Sequence, residues 1–274
     1  MMRISSNIAS LAAQRAFHRT ERETSQALRE LASGTKFVGP GANPAGLAIA
    51  ENLRGQLKGS EAAYQNAENA SSVMAVTEGS LAEQNNILIR LRELSVQAAS
   101  DTFSDQEREL LNHEFVQLIK EFDRIATSTK FGSQPLLDGT TKNYQFQVGV
   151  NSGSENIIEH TSDIDTRAST LDLKGMEITD KSDARDALET LDEALHTLNS
   201  SRAQMGAIQS RLESASSHLS GQIEGLAGAY SKMADTDIPD AVSRMRRGQV
   251  LAQYQAAALQ IANDQTLNAL KLIA

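Results

Sequence analysis

The sequence predicts a mainly α-helical fold: a rod-like antiparallel bundle of long coiled-coil helices, a small β-hairpin region, and two paired helices at the chain ends. The strongest indication is an apolar stripe whose successive steps alternate between three and four residues. Its members are Leu188, Leu191, Leu195, Leu198, Arg202, Met205, Gln209, Leu212, Ser216, Leu219, Ile223, Leu226, Tyr230 and Met233. A mean spacing of about 3.5 residues is typical of helices wound around each other in a left-handed supercoil. A stripe this narrow needs long partner helices to cover it.

The composition favours the same architecture. Aromatic residues make up only 4% of the 274 residues, and Trp is absent. A thick globular core usually contains more large aromatic side chains, whereas the thin seam between packed helices is filled by Leu, Ile, Met and Ala. Cys is also absent, which excludes disulfides, thiolate metal ligands and a cysteine nucleophile.

Prolines and glycines separate the helices that precede the stripe. A glycine-rich stretch over residues 33–46, with Pro40 and Pro44, divides a first helix from a proline-free segment over about residues 47–99. The clearest apolar stripe of that second segment is Leu81, Gln84, Leu88, Leu91, Ser95 and Ala98, reinforced by Ile87 and Leu94. Both segments are predicted to be amphipathic helices.

A third long helix is predicted to begin at a capping box. Ser104 and Glu107 have the spacing at which each side chain satisfies a free backbone N–H group of the first helical turn. One face of the helix that follows carries Leu111, Phe115, Leu118, Phe122 and Ile125.

The middle of the chain changes character. Residues 144–148 alternate apolar and polar side chains, residues 151–154 are typical of a turn, and Ile157 with Ile158 can supply a returning strand. We therefore expect a β-hairpin region at about residues 140–178, and helix again from near Ser182.

The two chain ends are weakly charged and apolar. The last helix, predicted over residues 241–274, carries two apolar rows, and the first fourteen residues contain one charged side chain, Arg3. A helix that is apolar around so much of its circumference is buried on several sides. Because two such helices cannot cover all of each other's surface, we expect other copies of the chain to cover the rest.

Charge is distributed unevenly along the chain. The formal net charge is −9, yet residues 1–40 and residues 241–274 each carry +3, so residues 41–240 carry −15. A strongly acidic body argues against nucleic-acid binding. Apolar runs are too short for a membrane-inserted helix or for a cleavable signal peptide.

The sequence offers no pattern typical of an enzyme, a metal site or a cofactor site. The five histidines do not have metal-ligand spacing, and His113-Glu114 lacks the second histidine of a zinc-protease motif. Residues 235–240 resemble the start of a calcium loop but lack its central glycine and closing glutamate. We predict a non-enzyme without catalytic residues, metal or cofactor.

Several segments resemble bacterial flagellins, in the same order and over nearly the whole chain. They are Ser33-Gly34, residues 45–50 (AGLAIA), 88–99 (LIRLRELSVQAA), 122–125 (FDRI), 129–132 (TKFG), 147–149 (QVG), 191–195 (LDEAL), 202–212 (RAQMGAIQSRL) and 268–273 (NALKLI). Variable outer domains, which many flagellins insert near the middle, have no room here. The chain therefore resembles a minimal flagellin.

This resemblance implies a structural subunit that self-assembles into the extracellular flagellar filament used for motility. Residues 1–42 and 240–274 would form an inner domain of terminal helices, and residues 43–239 a helical rod carrying the hairpin. The implied partners are further copies of the chain, an export chaperone, and the filament cap and hook-junction proteins. Export would proceed without a cleavable signal peptide.

Two sets of site residues follow from this interpretation. The expected self-assembly core is Ile4, Ile8, Leu11, Leu251, Tyr254, Leu259, Ile261, Leu267, Leu270 and Leu272. The resemblance also implies a Toll-like receptor epitope at Arg90, Leu94 and Glu114, against the alternative that these residues serve subunit packing.

Two alternative functions stay open at this stage. A hook–filament junction protein shares the terminal helices, but residues 90–99 and 147–149 favour a flagellin. A soluble signalling coiled coil would place a hairpin tip at the sequence midpoint, with mirrored heptads on either side. Here the midpoint is strand-like and the ends are the least charged parts, so this alternative is disfavoured.

Overall fold

The computed structural model describes residues 7–39, 41, 43–140, 143–161 and 164–271, and these residues form a mainly α-helical fold, as predicted. The helices are α1 (Ile8–Ser33), α2 (Pro44–Ala98), α3 (Asp105–Ser128), α4 (Lys181–Ala234) and α5 (Ile238–Lys271). The strands are β1 (Lys130–Phe131), β2 (Gln134–Pro135), β3 (Asn143–Gln147) and β4 (Ile157–Thr161). They form two antiparallel pairs, β1 with β2 and β3 with β4.

The chain divides into two compact units. The terminal unit comprises the chain up to Leu57 and from Gly225 onward, and the central unit comprises Lys58–Glu224. The long helices α2 and α4 each contribute to both units. The predicted functional division, residues 1–42 with 240–274 against 43–239, stays a prediction.

The apolar stripe of α4 is buried as its spacing indicates. All fourteen members predicted to face the seam are buried or half-buried. The five fully buried ones are Leu191, Leu198, Met205, Leu212 and Leu219. The α2 stripe behaves in the same way, since Leu81, Gln84, Leu88, Leu91, Ser95 and Ala98 are all buried. Two α3 phenylalanines, Phe115 and Phe122, complete the main core.

Polar members of the α4 stripe find partners on α2. Arg202 forms an ion pair with Glu78 at 2.8 Å, and the Ser216 hydroxyl donates to Glu68 at 2.7 Å. Because the partner's number on α2 falls as the number on α4 rises, the two helices run antiparallel. The breaks in the apolar repeat are thus places where the helices meet through polar side chains.

The turn between α2 and α3 depends on a capping box and a buried arginine. Ser104 caps α3 by accepting a hydrogen bond from the Glu107 backbone N–H, while the Glu107 carboxylate accepts from the Ser104 N–H, as predicted. Arg108 lies below them and donates to the Ala98 carbonyl at 2.8 Å and to the Ser100 carbonyl at 3.0 Å. It therefore satisfies free carbonyl groups at the C-terminal end of α2.

The predicted hairpin is present as β3 and β4. Tyr144 lies opposite His160 in the register, and Phe146 lies opposite Ile158. The Tyr144 ring stacks on Phe146 at 6.0 Å and on His160 at 6.5 Å between ring centroids. These residues alternate with exposed ones, so one face of the hairpin packs on the helices. The short β1–β2 pair was not predicted.

An irregular segment after β4 wraps against α3. The Ala168 backbone N–H donates to the Asp123 carboxylate, and the Ile178 N–H donates to the Asn112 side chain, both at 3.0 Å. A hydrogen bond from Arg167 holds the pKa of Asp165 at about 2. Ile164, Leu173 and Ile178 from this segment are buried in the main core.

We expect the substitution Arg108→Ala to lower the free energy of unfolding by about 3 kcal/mol, because it leaves buried carbonyl groups without donors. Chemical denaturation followed by circular dichroism measures this change. The matched control is Arg124→Ala, which removes an exposed pair with Glu121 and should cost less than about 1 kcal/mol. Equal effects of the two substitutions would contradict the role given to Arg108.

We expect His160 to make the fold sensitive to mild acid. Burial lowers the pKa of His160 below its ordinary value of 6.5, so the unfolded chain takes up the proton first as the pH falls. The stability that the neutral side chain contributes is complete above pH 6.5 and is lost as the pH falls towards the folded pKa. The substitution His160→Phe should therefore reduce the stability difference between about pH 7.5 and about pH 5. The matched control is His218→Phe, which makes the same replacement at an exposed position.

Candidate self-assembly surface

Helices α1 and α5 pack against each other in the terminal unit through small and polar side chains. Ala27 and Ala241 are fully buried between them, and Thr20 is nearly so. The Gly248 backbone approaches Thr24 so closely that a Cβ atom at residue 248 would clash with the threonine hydroxyl. The described residues of α1 and α5 that are buried are all small or polar, whereas large apolar ones such as Phe17 and Leu259 are only half-buried.

Polar contacts fix the pairing of the two helices. The Asn7 amide donates to the Ala262 carbonyl at 2.8 Å, and the Ser10 hydroxyl donates to Asn263 at 2.9 Å. Towards the other end of the pair, Arg244 reaches the buried Glu30 carboxylate at 2.8 Å. This hydrogen bond to Glu30 raises the pKa of Arg244. The two helices are therefore held together along their length by polar contacts.

A short bridge joins the end of α1 to the start of α5. Gly34 adopts a left-handed conformation with φ of 72° and ends α1, as glycine commonly does at a helix C-terminus. The Lys36 N–H then donates to the Ala234 carbonyl at 2.8 Å, and the Thr236 N–H donates to the Gly34 carbonyl at 2.9 Å. These bonds hold the segments that lead into the helix pair side by side.

Several large apolar side chains of both helices are exposed. Tyr254 is 72% exposed, Ile8 66%, Ile261 62%, Leu11 54% and Leu251 43%. Exposed Leu, Ile and Tyr side chains repeated along one helix pair form a surface that is typical of a protein interface. The pair therefore leaves uncovered the side chains that usually drive association.

The predicted assembly residues are divided by this arrangement. Ile8, Leu11, Leu251, Tyr254 and Ile261 are exposed, and Leu259 is half-buried. Ile4 and Leu272 lie outside the described residues. Leu267 and Leu270 belong to α5, but the structure describes only their backbone and not their side chains.

Sequence reasoning missed the polar residues that join α1 to α5. Thr20, Thr24 and Ala27 follow each other at steps of four and three, which is the spacing of a helix seam. The small size of these side chains at helical spacing indicates a close helix contact, but a stripe of large apolar residues does not include such positions. No local pattern pairs Glu30 with Arg244, since 214 residues separate them.

The two units carry opposite net charges. The terminal unit has 12 basic and eight acidic side chains, for a net charge of +4, and the central unit has 14 and 27, for −13. The acidic excess of the chain therefore belongs to the central unit. The exposed apolar residues of α1 and α5 belong to the unit with less charge to repel a neighbouring copy.

The three residues of the predicted receptor epitope differ in exposure. Arg90 and Glu114 lie side by side on α2 and α3, form an ion pair at 2.8 Å, and are both exposed. Leu94 is 0% exposed because it points into the core between the helices. Leu94 therefore offers no exposed surface in the single chain, and the epitope as a whole stays a prediction.

The described helices include none that is long and apolar enough to cross a membrane.

Comparison with known proteins agrees with this architecture. Residues 4–142 match the bacterial flagellin N-terminal helical region, and residues 188–273 match the bacterial flagellin C-terminal helical region. The chain is 35% identical to a flagellin of Halalkalibacterium halodurans, over 99% of this chain and all of that protein. It is 33% identical to a flagellin of Bacillus subtilis with the same coverage of both chains.

Solved structures share the fold. A crystal structure of Bacillus cereus flagellin is 29% identical, with a TM-score of 0.51 over 61% of this chain and 94% of that chain. A putative flagellar hook-associated protein from Vibrio parahaemolyticus has a TM-score of 0.60 over 71% of this chain and 100% of that chain, at 12% identity. The fold alone therefore does not separate a flagellin from a hook-associated protein, whereas sequence identity and the two matched regions do. The chain belongs to the bacterial flagellin family and is a structural subunit of the flagellar filament.

Proposed function

We propose that α1 and α5 form the inner assembly domain of the filament and line its central tube. The observation that carries this proposal is the exposure of Ile8, Leu11, Leu251, Tyr254 and Ile261 on a helix pair whose described buried residues are all small or polar. On this proposal the inner domain comprises residues 1–42 and 240–274, and residues 43–239 form the outer rod.

The free energy of burial favours assembly. Full burial of a large apolar side chain contributes roughly 1.5–3 kcal/mol. Five such side chains on each copy, covered by neighbouring copies, contribute several kcal/mol for each subunit added. Isolated helices gain little stability from propensity alone, so contact with other copies also stabilises the helices themselves.

The mechanism of the proposed function is packing, without a chemical step. Contacts between unlike surfaces of identical copies generate an open helical filament when the rotation from copy to copy does not close into a ring. Packed interfaces have discrete arrangements, so small shifts between copies allow alternative filament shapes. Such a filament can supercoil and transmit torque.

Further partners follow from the same exposed surface. An export chaperone would cover the apolar face of α5 before assembly, because that face promotes aggregation while it is exposed. Filament cap and hook-junction proteins would contact the first and last copies of the filament. Export without a cleavable signal peptide belongs to the same proposal.

Substitution of Tyr254→Asp together with Ile261→Asp should abolish polymerisation. Both side chains are exposed in the single copy, so its fold should be retained, whereas the assembled filament would bury two unpaired carboxylates. We expect the critical concentration for seeded growth to rise by more than about a hundredfold, measured by light scattering and electron microscopy.

The matched control is Gln253→Asp with Gln260→Asp, which adds the same charge to exposed polar positions of the same helix. The control should retain most of the polymerisation. Filaments formed by the Tyr254/Ile261 variant at the wild-type critical concentration would refute the proposed assembly surface.

We also propose that Arg90 and Glu114 belong to a Toll-like receptor epitope. Their exposed ion pair presents a cation and a carboxylate together across two helices, which supports this second proposal. The competing interpretation is that the pair serves packing between copies.

Replacing Arg90→Ala and Glu114→Ala together should lower the receptor response to the monomer by about tenfold or more, because a paired recognition contact is lost. A reporter-cell assay measures the response, and seeded polymerisation of the same variant measures packing. Leu94→Ala is unsuitable here because it opens a cavity in the core. An unchanged receptor response with impaired polymerisation would favour packing and contradict the epitope.

A further inference from the structure

Most basic side chains of the central unit form ion pairs within that unit. Eight of its basic side chains form ion pairs with its own carboxylates. Among its described residues, the basic side chains without such a pair are Lys120, Lys130, Lys174, Arg185 and Arg211. Because the unit carries a net charge of −13, contact between two central units is opposed by repulsion. Unpaired cations are therefore where a second acidic unit can approach.

Two of these free cations share one pocket. Lys120 of α3 and Lys174 of the following irregular segment are both exposed and line a pocket of about 420 Å³. Its apolar floor includes Val116, Ile119 and Met176. We call this the lysine pocket.

The carboxylates at the lysine pocket leave these two lysines available. Asp123 accepts a hydrogen bond from the Ala168 backbone N–H, and Glu177 is exposed and forms no ion pair with another residue that the structure describes. The Arg167 guanidinium, also at this pocket, is held by Asp165 at 2.8 Å. Apart from Arg167, which is paired with Asp165, two lysines and two carboxylates line this pocket, and neither lysine forms an ion pair among the described residues.

A groove of opposite character lies between α2 and α4. It has a volume of about 510 Å³ and is lined by Tyr64, Glu68, Gln209, Leu212, Glu213 and Ser216 among others. The groove occurs where Gln209 and Ser216 interrupt the apolar stripe of α4. We call it the glutamate groove.

The two carboxylates of the glutamate groove have no cation of their own. Glu68 accepts a hydrogen bond from the Ser216 hydroxyl, but neither Glu68 nor Glu213 forms an ion pair among the described residues. Both are exposed and belong to different helices, so a side chain that enters the groove can meet both. The groove fits a pair of flexible cationic side chains.

We propose that the lysine pocket of one copy docks on the glutamate groove of the next, with Lys120 and Lys174 paired to Glu68 and Glu213. The occupant is a second copy of this chain, and the argument for it is charge complementarity between two lysines and two glutamates that form no ion pair among the described residues. This inference rests on the proposed self-assembly. It identifies a contact between central units, whereas the exposed residues of α1 and α5 belong to the terminal unit.

The contact has consequences for how copies assemble. The two surfaces differ and occur on the same unit, so each copy can contribute one surface to one neighbour and the other surface to a second neighbour, as a contact that repeats along a filament requires. Exposed ion pairs contribute little free energy, but complementary charges raise the association rate and select one register among several. The contact therefore acts mainly on the rate and alignment of addition, and it weakens as salt screens the charges.

Charge reversal tests the proposal. Lys120→Glu with Lys174→Glu, and separately Glu68→Lys with Glu213→Lys, should each raise the critical concentration for seeded polymerisation by about tenfold at low salt. The fourfold variant that carries all of these substitutions restores opposite charges at every contact and should polymerise close to the wild-type level. Its recovery would separate pairing from a failure to fold, and thermal unfolding by circular dichroism checks each variant.

Matched controls reverse the same number of charges elsewhere in the unit. Lys130→Glu with Arg185→Glu changes two free cations outside both surfaces, and Glu83→Lys with Glu189→Lys changes two exposed glutamates outside both surfaces. Both controls should polymerise within about twofold of the wild type at the same salt concentration.

Three outcomes would overturn the inference. Pocket or groove variants that polymerise like their controls would show that the pairing is absent. A fourfold variant that melts like the wild type but does not recover would refute the stated partners. A wild-type chain that does not polymerise on seeds at all would refute the proposed function itself, and this inference with it.

Discussion

The small, polar contact between α1 and α5 is the constraint on which the rest of this protein depends. Thr24 and Gly248 bring the two helices close together, and Glu30 with Arg244 aligns them. A contact of this kind leaves large apolar side chains on the outside of the pair. The helices are then specifically paired but still expose the surface that other copies can cover. A larger mutual apolar face would stabilise the single copy and reduce its tendency to assemble.

The central unit has a thicker core than a single helix seam can provide. A single helix seam is too thin to bury much surface, and α3, the hairpin and the irregular segment after β4 add thickness around it. Phe115 and Phe122 contribute most of the aromatic volume that this core contains. Where the seam loses its apolar character, at Gln209 and Ser216, a polar groove opens between α2 and α4. The two polar residues that interrupt the apolar repeat of α4 therefore line a surface groove, and they also lie where α4 meets α2 through polar side chains.

The two units differ in net charge, and this difference affects how strongly each unit is repelled by another copy. The central unit is strongly acidic, so copies repel one another unless complementary groups meet. The terminal unit is mildly basic and carries exposed apolar residues, so its association is opposed less. Complementary charges affect mainly the rate and the specificity of association, whereas apolar burial supplies most of its free energy.

The sequence by itself determined the periodic parts of this protein. The α4 stripe, the α2 stripe, the Ser104–Glu107 capping box and the β3–β4 hairpin were all predicted and are confirmed, because each depends on residues a few positions apart. The flagellin family was also predicted from motifs along the chain and is confirmed.

Only the tertiary structure decided which distant residues meet and which way side chains face. In the folded chain Leu94 is buried, whereas Arg90 is exposed. Arg202 pairs with Glu78, and Arg244 pairs with Glu30. Arg108 donates hydrogen bonds to carbonyl groups at the α2–α3 turn. Helical periodicity identifies one face of a helix, but it does not say what lies opposite that face. Contacts between residues far apart in sequence depend on how the elements pack together, and no local spacing encodes that packing.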